Sequence, residues 1–248
     1  MNRIDDCLKK RVEETRYEFG LSPLHSWIRF FEYFIHLAYR LDFKKWQART
    51  AQEKEALLHR KKFIQLELRS RLGLLIDKPR SGGSGNSNDG NTARKFFRNS
   101  NIVAEVTGLN RELIDKCHVI LQCLASGYDI RKDAFQTFAI NTARLLVREY
   151  PWFNMPPSVH KVLVHGSDVI DNALISIGEL SEEAAESNNK NIKDFRRNYT
   201  RKISRTVTNT DLLHRLLLNS DPLITGIRKI PRQKKSSLPD SVKSLLYV

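Results

Sequence analysis

Four carboxylates, Glu179, Glu182, Glu183 and Glu186, fall within the run Ile177-Gly-Glu-Leu-Ser-Glu-Glu-Ala-Ala-Glu-Ser-Asn-Asn-Lys190. A field of cations follows at once: Lys190, Lys193, Arg196, Arg197, Arg201, Lys202 and Arg205, interleaved with Phe195 and Tyr199. Acid next to base at this density suits metal-assisted phosphate chemistry. A carboxylate can ligate Mg²⁺ or Mn²⁺, hard cations that take oxygen ligands and leave room for substrate phosphates. Paired ions of this kind activate the attacking oxygen and stabilise the leaving one. One glutamate cannot do this alone. Residue types by themselves leave the plainer reading open: on a helix Glu186 and Lys190 make an i,i+4 surface pair of a few tenths of a kcal/mol, and the carboxylates simply face water.

The cationic run is the sharper signal. Like charges so dense repel one another unless an anion neutralises them. With nothing assigning base readout, the expected role is sequence-independent gripping of a nucleic-acid backbone. Composition agrees: 248 residues carry a net charge of +14, a surplus that attracts phosphates with an affinity weakened by salt. The apolar runs fall far short of the ~20 residues that span a bilayer, and residues 1–6 lack the apolar core of a signal peptide.

A second candidate for chemistry is the pair His160 and His165 in Val159-His-Lys-Val-Leu-Val-His-Gly166. Five apart, they sit about 140° around an ideal helix, poorer for one metal than an i,i+4 pair. A structural zinc needs four ligands, and the three cysteines, Cys7, Cys117 and Cys123, form no CxxC. Packing or capping is the alternative role for the histidines. Cys117 and Cys123 lie on an apolar helical pattern and read as core; the cysteine count argues for a reducing compartment.

Helices must position these residues, because almost every periodic segment has helical spacing and no alternating strand pattern is present. An aromatic, largely buried helix is expected from Ser22 to about Gln47 and an amphipathic one from Ala51 to Leu75. Residues 79–91, rich in Gly, Ser and Asn, read as a flexible loop. They lead into Arg94-Lys95-Phe96-Phe97, where cations beside aromatics could lie along a nucleic acid. Asn110 is a candidate N-cap, and Gly127 a stop. A helix over 131–150 is ended by Pro151. Pro156-Pro157 precede a short helix carrying the histidines, with Gly166 as its terminator. Ser181 is positioned to cap the acidic helix, a further helix is expected at 210–218, and a basic tail begins at Arg228. The segments are thus 1–78 helical, 79–105 loop with a basic-aromatic stretch, 106–226 helical, and 227–248 tail. The fold class is all-α.

In order along the chain, Leu24-His-Ser26, Lys44-Lys-Trp-Gln47, Gly90-Asn-Thr-Ala-Arg-Lys95, His160-Lys-Val-Leu-Val-His165, Ile177-Gly178, Glu186-Ser-Asn-Asn-Lys190 and Phe195-Arg-Arg197 resemble the C-terminal catalytic region of Transib-type DNA transposases. They are similar also to the related catalytic subunit of the V(D)J recombinase. The resemblance spans about residues 21–226 and is stronger for the order of the motifs than for any one of them.

It implies the helical insertion and last catalytic helix of an RNase H-like nuclease with an Asp, Asp, Glu triad, the β core being absent from this chain. Glu186 falls at the final glutamate, a Mg²⁺ or Mn²⁺ ligand, with Glu183 as the alternative a turn away. His160 and His165 match the histidine half of a zinc site whose CxxC lies upstream in the family. Arg94, Lys95 and the cations from Lys190 to Arg205 would lie beside double-stranded DNA, at transposon ends and target. A homodimer and a nuclear location are implied as well. Neither catalytic aspartate has a counterpart here, and Asp5 and Asp6 fit neither. The expectation is therefore a chain starting at an internal methionine of the family protein, unable to cut DNA alone and a poor holder of zinc. A non-catalytic DNA-binding or dimerising remnant is the alternative reading.

Overall fold

A computed structural model of the chain describes residues 20–79, 86–179, 182–227 and 237–248, without the side chains of residues 183–187 and 225. The chain divides into two compact units. The first runs to Ser181 and takes in Pro239–Val248; the second is Glu182–Leu238.

The first unit is built on α1 (Pro23–Ala38). Ser22 starts it by accepting from the His25 amide, and proline occupies the first turn, where its missing N–H is not needed. Its apolar residues cover nearly every face, as the composition requires, so the helix is wrapped by its neighbours. Trp27, Phe30, Phe31, Phe34, Ile35 and Leu37 are all buried. Helix α2 (Ala51–Leu72) opens on a capping box, Thr50 with Glu53, and closes on Gly73 at φ +63°, a left-handed position that favours glycine.

Helices α3 (Gly90–Arg98) and α4 (Ser100–Thr107) occupy much of the stretch expected as loop. Asp89 caps α3, and Gly90 lets it approach α1, since a Cβ there would lie 2.5 Å from Leu24 Cδ1. Phe96 and Phe97 are fully buried and pack edge-on against Phe31 and Phe34 at 5.1 and 5.7 Å. These aromatics therefore belong to the core and cannot stack on a nucleic acid. The reason is that α3 presents them to the richest aromatic surface of the chain, where burial is worth about 3 kcal/mol or more for each ring.

Asn110 caps α5 (Arg111–Leu124) as its sequence suggests. Cys117 and Cys123 are buried and free; burial raises both thiol pKa values, Cys123 to about 12. Helices α6 (Lys132–Glu149) and α7 (Pro157–Asp171) pack closely together. The expected stop at Gly166 is overturned: α7 runs on for another turn, and Gly166 is buried inside it. A Cβ at this position would sit 3.0 Å from the Phe135 ring, so the glycine serves a close contact between α6 and α7. The tail is corrected too. Helix α11 (Asp240–Lys243) and the residues after it return to this unit, burying Val242, Leu245 and Leu246; the Arg131 amide donates to Leu245 O and the Tyr247 amide to Asp129 O. Residues 228–236 lie outside the described residues.

Long-range polar ties join these helices. The Arg60 guanidinium on α2 donates to Ala38 O at 2.6 Å, Thr107 O at 2.7 Å and Asp42 at 2.7 Å, linking the ends of α1 and α4. Asp77 accepts from Tyr39 Oη and Asn88 Nδ2 at 3.0 and 2.8 Å and faces Lys61 and His36.

Buried histidines are expected to make this unit acid-sensitive, His36 and His118 together with the pair His160 and His165 on α7. Burial holds His36 below its ordinary 6.5 against the pull of Asp77 and Glu32, with Arg40 and Lys61 assisting. Burial does the same for His118, beside Arg98 and Asp115 and packed on Trp27 at 5.7 Å. An imidazole whose folded pKa is depressed binds its proton more readily when unfolded, so stability present above pH 6.5 is lost as pH falls through that value. Melting temperature is expected to drop between neutral pH and about pH 5.5, and His118→Gln to flatten part of that slope. A melting temperature constant over this range would contradict the assignment.

The second unit holds α8 (Glu183–Asn198), α9 (Arg205–Ser220) and α10 (Pro222–Ile227). Helix α9 begins five residues before the expected 210–218, because Ser204 caps it by accepting from Val207 N. The expected cap of α8, Ser181, lies outside the described residues; α8 starts after Glu182, which makes no side-chain cap bond. All regular structure among the described residues is helical, and no helix there is long and apolar enough to cross a membrane.

Candidate nucleic-acid interface

The basic run folds into a helix-turn-helix pair, α8 against α9, and the turn between them is fixed by its own side chains. Arg201 forms a double contact with Asp211: Nε to Oδ2 at 3.0 Å and Nη2 to Oδ1 at 2.9 Å, with the Arg201 amide on Oδ2 at 2.9 Å. These bonds hold the Asp211 carboxyl down to about 2. Thr208, buried, donates from its hydroxyl to Arg201 O and Ser204 O at 2.8 and 2.9 Å. Lys202 Nζ bonds Thr200 Oγ1 at 2.7 Å and the Arg196 carbonyl, closing the end of α8. On the outer side the Arg215 guanidinium lies 5.1 Å over the Tyr199 ring.

With its turn so held, the pair encloses a concavity of about 510 Å³ lined by Lys193, Arg196, Arg197, Lys202, Ser204, Arg205 and Thr208. Of these, Lys193, Arg196, Arg197 and Arg205 form no ion pair among the described residues. The first turn of α9, where Ser204 already caps the Val207 amide, lines the same concavity, and a helix N-terminus favours anions. Exposed cations converging around a helix start can donate to phosphate oxygens. The sequence foretold the cations but not the division of labour. Arg201, expected beside DNA, is engaged with Asp211, and Lys202 spends donors on its own backbone. Ser204, Thr208 and Asp211 shape the concavity and were not singled out; Ser204 before a helical run was the one available signal.

Lys190 is exposed on the same helix. Glu186 and Glu183 are placed on the first turn of α8 by the backbone, but their side chains lie outside the described residues. Arg94 and Lys95 belong to the first unit. Arg94 is half-buried with its guanidinium 5.6 Å from the Trp27 ring, and burial lowers its pKa; Lys95 is exposed on α3.

The histidine pair is brought together. His160 and His165 meet edge-on on α7 with ring centroids 5.1 Å apart. Burial, then the neighbouring His165, lowers the His160 pKa, and burial lowers that of His165 although Asp168 opposes it at 3.9 Å. Neutral imidazoles are what a metal requires. Among the described residues, however, no group of three or more His, Cys, Asp or Glu comes together to hold a metal, and the two rings stand as a pair. Matching the chain against known protein families and against curated proteins returns nothing.

Proposed function

We propose that this chain is the C-terminal region of a Transib-type DNA transposase and that its second unit grips the phosphate backbone of duplex DNA in the α8–α9 concavity. The observation that carries the proposal is the convergence of Lys193, Arg196, Arg197 and Arg205 on a concavity between two helices whose turn is held by the Arg201–Asp211 pair. The order of the motifs supports the family reading. In that reading Glu186 contributes one carboxylate to a divalent-metal centre for nicking and strand transfer, His160 and His165 supply half of a zinc site, and the protein acts in the nucleus. The remaining triad carboxylates have no match in this sequence, so the chain by itself binds DNA without cutting it. A purely DNA-binding remnant predicts the same for this chain.

Titrating the full chain with unrelated duplexes while following fluorescence anisotropy tests the binding step. Four or five phosphate contacts predict a log–log salt slope of about −4, similar for every sequence. Absent or salt-independent binding would sink the reading. Nicking of plasmid in Mn²⁺ that Glu186→Gln abolishes would instead show catalysis within the chain and overturn the incomplete triad.

A further inference from the structure

Four charges of α2 pair within the first unit: Glu53 with Lys45 at 2.5 Å, Arg60 with Asp42 at 2.7 Å, Lys61 with Asp77 at 3.5 Å and Arg71 with Glu105 at 2.7 Å. Half-buried Glu67 and exposed Lys54 form no ion pair among the described residues. On the outer face Glu55, Lys62 and Arg69 are exposed and form no ion pair among the described residues. Between them stand large apolar side chains open to water, Leu58 at 53% and Leu66 at 65% exposure, with Phe63 at 50% on the flank. The buried side of this helix is filled by Ile64, Leu68 and Leu72.

Glu55, Leu58, Lys62, Leu66 and Arg69 lie in one stripe, within about 80° of arc at 100° per residue. Their order reads acid, apolar, base, apolar, base, with spacings of three, four, four and three residues that are the same from either end. A second α2 laid antiparallel about a two-fold axis through Lys62 would place Leu58 on the other Leu66 and Glu55 on the other Arg69. We propose that this outer face of α2 is a self-association surface whose occupant is a second copy of this chain in that register. Isologous pairing makes each contact occur twice. The two Lys62 side chains meet on the axis and turn their ammonium groups outward to water, a repulsion that limits affinity. The surface lies on α2 alone and does not depend on DNA binding.

Sedimentation of the full chain, free of nucleic acid, tests it. The expected result is a concentration-dependent dimer. Glu55→Arg and Arg69→Glu should each weaken it on the order of tenfold or more, since each replaces two attractive pairs by two like-charge pairs, and the double reversal should restore it. Lys62→Leu should tighten it, and Lys62→Cys should cross-link across the axis under mild oxidation. Circular dichroism should show each variant folded, because none of these side chains has an internal partner. A chain that stays monomeric, a dimer indifferent to Leu66→Asp, or a double reversal no better than either single one overturns the proposal.

Discussion

Replacing Arg196, Arg197 and Arg205 together by glutamate is expected to lower duplex affinity at least about a hundredfold and to flatten the salt slope by about 2.7, at 0.9 per lost phosphate contact. The loss should be equal for unrelated sequences, because phosphate contacts carry no base information. The decisive contrast is Arg201→Gln. Arg201 is as exposed as its neighbours, at 67%, yet its guanidinium is already paired with Asp211. Its removal should leave the salt slope within one contact of the parent value while loosening the α8–α9 turn, seen as earlier melting of the second unit. If Arg201→Gln flattened the slope as much as any of the three, the pair would open on DNA and Arg201 would be a gripping residue after all.

The largest expected effect on stability is Arg60→Ala, at about 3 kcal/mol, a shift of roughly 6–12 °C in melting temperature for a unit of this size. The guanidinium satisfies the carbonyls of Ala38 and Thr107, one at the last residue of α1 and one at the last residue of α4, where no intrahelical donor is available. Alanine removes this donor from Thr107 O, leaves Ala38 O with only the long 3.4 Å bond from the Leu41 amide, and leaves Asp42 without its ion pair. Arg60→Lys should recover less than half, since a single ammonium cannot span three acceptors that a planar fork meets at once. Urea melts of the three chains separate these cases. A loss below about 1 kcal/mol for alanine would mean that water replaces the guanidinium at both carbonyls.

What was legible in the residues was legible for local reasons. Ser22, Thr50 and Asn110 cap because a side-chain oxygen reaches an amide three residues on. Pro151 and Pro157 bound α6 and α7 because their rings remove a donor. The saturation of α1 with aromatics announces a helix enclosed on most faces. Gly166 shows where this ends. A glycine at the end of an apolar run reads as a terminator, and only the Phe135 ring, thirty-one residues earlier in the chain and 3.0 Å from a Cβ built at Gly166, explains it inside a helix. Phe96 and Phe97 were misread as a ligand surface for the same cause: their destination is α1, far away in sequence.

In the second unit, too, residue types and their density determined the positive charge of the α8–α9 surface and the all-helical class of the chain that presents it. Tertiary structure alone decided which cations remain available. Arg201 and Arg205 are the same residue four positions apart, but only Arg201 finds Asp211 ten residues ahead. Nor could periodicity tell that Leu58 and Leu66 face water while Ile64 and Leu68 face the core. Caps and helical periods act over a turn or so of backbone, so they are written into neighbouring residues. The partner of a side chain is chosen by which helices pack together, and that choice depends on the chain as a whole.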